Sequence, residues 1–193
     1  MSTNNFKNGK LKYAVSSSII LLFICCQSVF AADSLVIINK KINFGYDAAN
    51  NRSIDAVIIH STFNNSGGDL YDINLVLKQF ERYQVSAHYV IGRDGTVYQL
   101  VDEKNVSYHA GKSSLPDGRT AVNTCSIGIE IMTSFTEAPT EKQIASLLLL
   151  VKNIKSRYDI KYVLRHSDIA PVRKTDPWNM DWELFLKQLN EKQ

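Results

Sequence analysis

The run Ala56-Val57-Ile58-Ile59 constrains the fold of this chain more than any other segment. Four consecutive apolar residues, three of them β-branched, are typical of a strand that is buried on both faces. Such a strand needs a packing layer on each side of its sheet. The run leads into His60, which the sequence places at the tip of the strand, where a side chain can point into a cleft. A histidine with a purely structural hydrogen-bonding role would explain this position equally well.

Helical and strand-like patterns alternate along the rest of the chain. Residues 70–83 carry apolar positions at helical spacing, with Asp69 as the expected N-cap. An Asp-Gly turn at residues 94–95 separates two β-rich runs and predicts a hairpin. His88 lies inside the first of these runs and is interpreted as structural. Residues 140–143 have the form of a capping box at the start of a long helix. Interleaved strands and helices with one hairpin predict a single α/β domain, in which helices flank a mixed β-sheet.

The segment from residue 126 to residue 132 alternates between isoleucines and small or polar residues, as expected for a strand with two different faces. Glu130 shares its face with a serine and a glycine, which leave space above it. That arrangement suits a carboxylate in a cleft, although a solvent-facing glutamate is the simpler interpretation of this strand alone. The preceding residues, 102–124, form a long loop without periodicity, and such loops are often functional. Substrate contact is one hypothesis for residues 108–111, and ordinary surface variability is the other.

A polar loop near the C-terminus, residues 165–177, follows an apolar strand-like run at residues 162–164. Loops at strand ends commonly carry binding and catalytic residues. His166 and Asp176 form a possible pair of metal ligands, because imidazole nitrogen and carboxylate oxygen both suit zinc. Lys174 would lie beside such a metal ion. A solvated polar loop without a metal is the alternative that the residue types leave open.

The first 31 residues have the form of a secretory signal peptide. Three lysines precede an apolar stretch, and cleavage is expected after Ala31. A retained anchor and a lipidated cysteine are the alternatives. Cleavage would remove three of the 22 basic residues and none of the 19 acidic residues. Residues 32–193 would then carry no net charge, so the composition gives no support to nucleic-acid binding.

Cleavage would also remove two of the three cysteines. Cys125 would remain unpaired, and such a cysteine in an exported protein is most often a small buried apolar residue. The apolar stretch of the leader is short for a transmembrane helix, so we expect no stable membrane span in the mature chain. We expect an exported protein, periplasmic or secreted, and a monomer.

Six short segments of the sequence resemble segments of a known family, and they occur along the chain in the same order as in the family. They are Val57 to Ser61, Val85 to Tyr89, Arg93 to Gly95, Tyr108 to Gly111, Ser126 to Glu130 and His166 to Pro177. The chain resembles the zinc-dependent N-acetylmuramoyl-L-alanine amidases, whose relatives include a phage lysozyme and the animal peptidoglycan recognition proteins. The match covers nearly all of residues 55–185. It implies the amidase fold and a Zn²⁺ ion bound by His60, His166 and Asp176.

The resemblance also implies roles for other residues. Glu130 matches the general base of the family, and Lys174 matches the residue that stabilises the oxyanion. The substrate-facing loop corresponds to Tyr108, His109, Ala110 and Gly111. A carboxylate as third ligand resembles the bacterial branch, whereas the phage and animal enzymes use a cysteine, so Cys125 is left out of the site. Asp168 is expected to orient His166 or to cap the local turn.

The leading hypothesis is an exported zinc amidase that cleaves the amide between N-acetylmuramic acid and L-alanine in peptidoglycan or muropeptides. A non-catalytic peptidoglycan-binding module and an antibacterial lysin with the same chemistry are the alternatives. The sequence leaves open whether the substrate is intact wall, a soluble muropeptide or an anhydro form. Val172 and Trp178 depart from the family, which more usually has small residues or glycine there. These departures put the shape of the substrate groove in question.

Overall fold

A computed structural model describes Met1 and residues 35–191. Apart from Met1, the predicted signal peptide and its cleavage site lie outside the described residues, and so does the predicted start of the mature chain at residue 32. Within residues 35–191, no helix is long and apolar enough to cross a membrane.

Strands form the centre of the fold. They are β1 (Ile37–Asn39), β2 (Tyr46–Asp47), β3 (Ala56–Thr62), β4 (Tyr89–Ile91), β5 (Val97–Gln99), β6 (Val106–Ser107), β7 (Ser126–Met132) and β8 (Tyr162–Arg165). Six of them form one sheet in the order β1-β5-β4-β7-β3-β8, while β2 and β6 pair separately. The predicted hairpin is confirmed, because β4 and β5 are antiparallel. Strands β4, β7, β3 and β8 run parallel, so their carboxyl ends meet at one edge of the sheet.

Helices cover this mixed sheet, which confirms the predicted fold class. The described helices are α1 (Ile73–Tyr83), α2 (Glu141–Arg157), α3 (His166–Ile169) and α4 (Trp182–Asn190), with a 3-10 turn at Val122–Cys125. The predicted capping box of α2 is confirmed. The predicted cap of α1 was wrong: the carboxylate of Asp72 accepts the backbone N–H groups of Asn74 and Leu75. Asp69 instead accepts the backbone N–H of Tyr71 in the turn before the helix.

The two faces of the sheet bury different residues. On one face, the isoleucines of β7 pack with apolar side chains of α2 and α4, including Leu147, Ile154 and Phe185. On the other face, Ile58 packs against the long loop and α3, and a further cluster joins α1 to β4. The predicted alternation of β7 is therefore confirmed, and Glu130 projects on the face that the long loop covers.

Strand register brings the candidate site residues together at the carboxyl edge. His60 of β3 pairs with Glu130 of β7, and Ile59 pairs with Arg165 of β8. His166 follows Arg165 directly, so it comes level with His60. The prediction that His60 lies at the tip of its strand was wrong, because the pairing with β7 continues for two more residues to Thr62.

Candidate metal centre

Three buried side chains converge at the carboxyl edge of the sheet: His60, His166 and Asp176. One donor atom from each lies within 4.8 Å of the other two. His166 Nδ1 is 2.9 Å from His60 Nδ1 and 3.1 Å from Asp176 Oδ2. Two imidazole nitrogens and one carboxylate oxygen form a donor set that suits a divalent transition metal. The structure thus brings together the three predicted ligands in a cluster that could hold a metal ion.

Hydrogen bonds determine which nitrogen of His60 is free. The Ser126 hydroxyl donates to the Val122 carbonyl at 2.6 Å, so it can accept the Nε2–H of His109 at 3.1 Å. The Nδ1 of His109 is then an acceptor, and it receives the Nε2–H of His60 at 3.0 Å. This tautomer leaves the Nδ1 lone pair of His60 directed at the cluster.

His166 adopts the same tautomer as His60, with the proton on Nε2. Its Nε2 lies 3.3 Å from the Ala110 carbonyl, which can only accept, so this nitrogen carries the proton. The guanidinium of Arg173 donates to the same carbonyl at 2.9 Å and holds it in place. Both histidines therefore present an Nδ1 lone pair to the cluster. Two lone pairs at 2.9 Å repel unless a cation or a proton lies between them, so the geometry fits a bound cation.

The segment predicted to face the substrate, residues 108–111, also supports the two histidines. His109 and Ala110 are buried and supply the hydrogen-bond partners just described. Tyr108, His109 and Gly111 line the cavity beside the cluster. Substrate contact by these four residues stays a prediction, while the support that His109 and Ala110 give to the cluster is a contact that the sequence did not reveal.

Gly128 makes room for His109. A Cβ built at Gly128 would lie 2.4 Å from Cγ of His109, which is far inside van der Waals contact. The space that the small residues of β7 were predicted to leave is therefore filled at Gly128 by the imidazole ring. A glycine within a strand often marks such a close approach, and this was the one sequence signal for the contact.

The ionisation of these groups matches the needs of metal ligands. Burial lowers the pKa of His60 to about 4 despite its contact with Asp176, and burial also lowers the pKa of His109. Burial opposes the ionisation of Asp176, but its contacts with the imidazole rings of His166 and His60 act in the other direction and hold its pKa well below the usual range. At neutral pH, His60 and His109 are therefore neutral and Asp176 is ionised. Metal binding requires neutral imidazole and ionised carboxylate.

Glu130 and Lys174 line a cavity of about 300 Å³ together with His166 and Asp176. The Oε2 atom of Glu130 is buried and has no hydrogen-bond partner among the described residues. Burial, followed by the charge of Asp176, raises the pKa of Glu130 to about 8, while Lys174 opposes this rise. A buried carboxylate oxygen without a partner requires an explanation. A cation or a polar substrate group in this cavity would provide one.

Three other residues discussed from the sequence, His88, Asp168 and Cys125, make contacts that support the fold. His88 is interpreted correctly as structural, because its Nδ1 accepts the Gly128 N–H at 3.0 Å and its Nε2 lies 3.1 Å from the Asn105 carbonyl. Asp168 caps the turn at α3 by accepting the backbone N–H of Arg165 at 2.9 Å. Cys125 is half-buried and packs against an apolar cluster around Ile58 and Val122.

Comparisons with known proteins agree with this geometry. The Amidase_2 family model, described as N-acetylmuramoyl-L-alanine amidase, matches residues 50–179. The 1,6-anhydro-N-acetylmuramyl-L-alanine amidase AmpD of Citrobacter freundii is 40% identical over 105 residues, which cover 53% of this chain and 56% of AmpD. The matched part therefore spans little more than half the length of that relative.

Two solved structures have the same fold. A selenomethionine derivative of AmpD superimposes with a TM-score of 0.63 and 31% identity, covering 77% of this chain and 92% of AmpD. The amidase AmiD of Escherichia coli, in complex with the substrate anhydro-N-acetylmuramic acid-L-Ala-D-γ-Glu-L-Lys, gives a TM-score of 0.60 and 32% identity. That match covers 70% of this chain and 57% of AmiD. The family match and the structural matches show that the chain belongs to the N-acetylmuramoyl-L-alanine amidase family.

Proposed function

We propose that this protein is a zinc-dependent N-acetylmuramoyl-L-alanine amidase, which hydrolyses the amide between N-acetylmuramic acid and L-alanine in peptidoglycan or muropeptides. One observation carries the proposal. Three side-chain atoms that can only accept, from His60, His166 and Asp176, converge in a buried cluster of a chain that belongs to an amidase family. A non-catalytic binding module would not need this donor set beside a buried glutamate oxygen, Glu130 Oε2, that has no partner within residues 35–191.

The ligands would be His60 Nδ1, His166 Nδ1 and a carboxylate oxygen of Asp176. Three protein ligands leave a position open, as in catalytic zinc sites. Zinc, when bound, supplies polarisation of the scissile carbonyl and lowers the pKa of water to roughly 7. The side chains around the cluster would transfer the proton and stabilise the developing charge.

Glu130 is the proposed general base. Glu130 lies on β7, where it pairs with His60 of β3, and it lines the cavity. There its carboxylate would accept a proton from the attacking water and deliver it to the leaving amine of L-alanine. Although burial raises the pKa of Glu130 to about 8, a nearby cation favours the ionised form of a carboxyl group. The ammonium of Lys174 would stabilise the negative charge that develops on the amide oxygen.

The substrate and the location are part of the proposal. AmpD is named for 1,6-anhydro-N-acetylmuramyl-L-alanine, and AmiD was crystallised with an anhydro-muropeptide, so a soluble muropeptide is a reasonable first substrate. Tyr108 and Gly111, with His109 and Ala110 behind them, would face its peptide. The predicted leader supports export to the periplasm or the medium, where peptidoglycan is accessible.

Metal removal is the direct test of this function. Incubating the purified protein with peptidoglycan and with isolated muropeptides should release stem peptides that begin with L-alanine, detected by mass spectrometry. A chelator should abolish the release, and added Zn²⁺ should restore it. Intact substrate in the presence of one bound equivalent of zinc would contradict the proposal and favour a binding module.

A second prediction concerns the hydrogen bond from His60 to His109. Replacing His109 by leucine removes the acceptor for the His60 Nε2–H, and loss of such a partner typically weakens metal binding by roughly 10- to 100-fold. Competition with a chromophoric chelator measures the zinc affinity. His109→Gln, whose amide can accept from His60, should recover part of the affinity. Equal zinc affinity in all three proteins would show that His109 has no role in holding His60.

A further inference from the structure

Three aromatic side chains form a cluster beside the cavity, which one of them, Trp178, lines. Phe135 and Trp178 have ring centroids 4.3 Å apart, and Phe63 lies 5.5 Å from Phe135 and 5.8 Å from Trp178. We name these three residues the aromatic platform. Phe135 is 64% exposed, although burial of a phenylalanine is normally favourable. Contiguous exposed apolar surface often marks a binding site.

Hydrogen bonds hold the platform in place. The backbone N–H of Trp178 donates to the Ser61 hydroxyl at 3.1 Å, and its indole N–H donates to Thr175 at 3.0 Å. The side-chain amide of Asn179 donates to the Phe135 carbonyl at 3.0 Å. Asn179 itself adopts a left-handed backbone conformation with φ of 54°, which asparagine tolerates better than most residues. These contacts fix the two segments that carry Phe135 and Trp178, so the exposed ring of Phe135 is held against the half-buried ring of Trp178.

The platform adjoins the cavity of the candidate metal centre through Trp178. Trp178 follows the proposed ligand Asp176 by two residues and lines the same cavity as Glu130 and Lys174. A substrate group that stacks on the platform would therefore lie next to the scissile bond. In a muropeptide, the groups that lie there are the sugar on one side of the amide and the stem peptide on the other.

The sugar and the stem peptide differ in charge, so they are complemented by different flanks of the cavity. Another flank of the cavity is formed by Gly111 and by Arg173, whose guanidinium binds the carbonyls of Ala110 and Lys112. This flank is cationic and offers backbone groups, so it complements the carboxylates of a stem peptide. The muramyl sugar ring is uncharged and has a face of C–H groups, which complements exposed aromatic rings.

We propose that the aromatic platform of Phe63, Phe135 and Trp178 binds the muramyl sugar ring of the substrate by stacking. The inference rests on the proposed amidase function and adds a sugar subsite to it. The departure of Trp178 from the residues usual in the family then has a function: it provides the ring that connects the sugar subsite to the cavity.

Two substrates with the same scissile amide test this inference. The first is N-acetylmuramoyl-L-Ala-D-Glu, and the second is D-lactoyl-L-Ala-D-Glu, which keeps the acyl group but lacks the sugar. The wild type should prefer the first in kcat/KM. Phe135→Ala should reduce this preference about 10-fold, the loss expected for one aromatic contact, through the sugar substrate alone. Phe135→Tyr should retain the preference, and Tyr83→Ala, an exposed aromatic residue on α1, serves as control.

Other outcomes have distinct meanings. An equal loss on both substrates, or no change on either, would overturn the sugar subsite while leaving the amidase in place. If the wild type cleaves neither substrate, the amidase proposal fails, and calorimetry with the two compounds then tests the platform alone: equal affinities in wild type and Phe135→Ala would overturn it. A dimer in sedimentation that Phe135→Ala dissociates would assign the platform to self-association instead.

Discussion

Replacing Glu130 by glutamine is expected to lower kcat by roughly 10³-fold, within the range for loss of a general acid–base group, while zinc stays bound. Glutamine keeps the size of the side chain but cannot accept the proton of the attacking water. Glu130 is not among the three clustered donor atoms, so its replacement leaves the ligand set intact. The expected result is a folded protein that contains zinc and turns over very slowly.

The measurement combines turnover of a muropeptide with the zinc content of the purified variant. Glu81→Gln, an exposed glutamate on α1, is the matched control and should change neither quantity. Because Glu130 Oε2 has no partner among the described residues, the amide should not reduce the free energy of unfolding of the metal-free protein. Wild-type turnover in Glu130→Gln would show that another group moves the proton, and loss of zinc would show that Glu130 helps to hold the metal.

The positions of the site residues that lie on a strand, or directly after one, could be predicted from the sequence. His60 and Glu130 lie on strands that the apolar patterns identified, and parallel pairing places them side by side. His166 comes directly after a strand in the same sheet, so its position follows from the same pattern. Asp176 is different, because the nine residues between it and His166 must fold back. The short helix α3 and a hydrogen bond from the Ser167 N–H to the Asp176 carbonyl, at 3.0 Å, achieve this.

The contacts of the long loop could not be predicted from its residues. The loop has no periodicity, and the position of His109 depends on the Ser126 hydroxyl and on the absence of a side chain at Gly128. These are tertiary contacts between separate segments, and apart from the glycine within β7 the local pattern carries no information on them. The aromatic platform is a similar case: Trp178 was noticed as a departure, but its contacts with Phe63 and Phe135 appear only in the fold.

Replacing Asp176 by alanine is expected to have the largest effect on metal binding. Asp176 is the only anion among the three clustered side chains, and it accepts a hydrogen bond from the Ser61 backbone N–H at 3.4 Å. The variant loses both a donor atom and the negative charge that offsets the charge of the metal. Loss of a residue that only hydrogen-bonds to a metal ligand lowers metal affinity by up to roughly 100-fold. Loss of the ligand Asp176 should lower zinc affinity by more than this, and amidase activity should disappear with it.

Thermal unfolding with and without zinc separates this effect from misfolding. A ligand that binds only the native state raises the melting temperature according to its concentration and affinity, so saturating zinc should raise that of the wild type and leave Asp176→Ala almost unchanged. Asp168→Ala is the matched control in the same loop. It removes the cap at Arg165, which should cost about 1 kcal/mol of stability, but it should keep the full response to zinc. An equal zinc response in Asp176→Ala and the wild type would remove Asp176 from the ligand set, because a true ligand cannot be lost without loss of affinity.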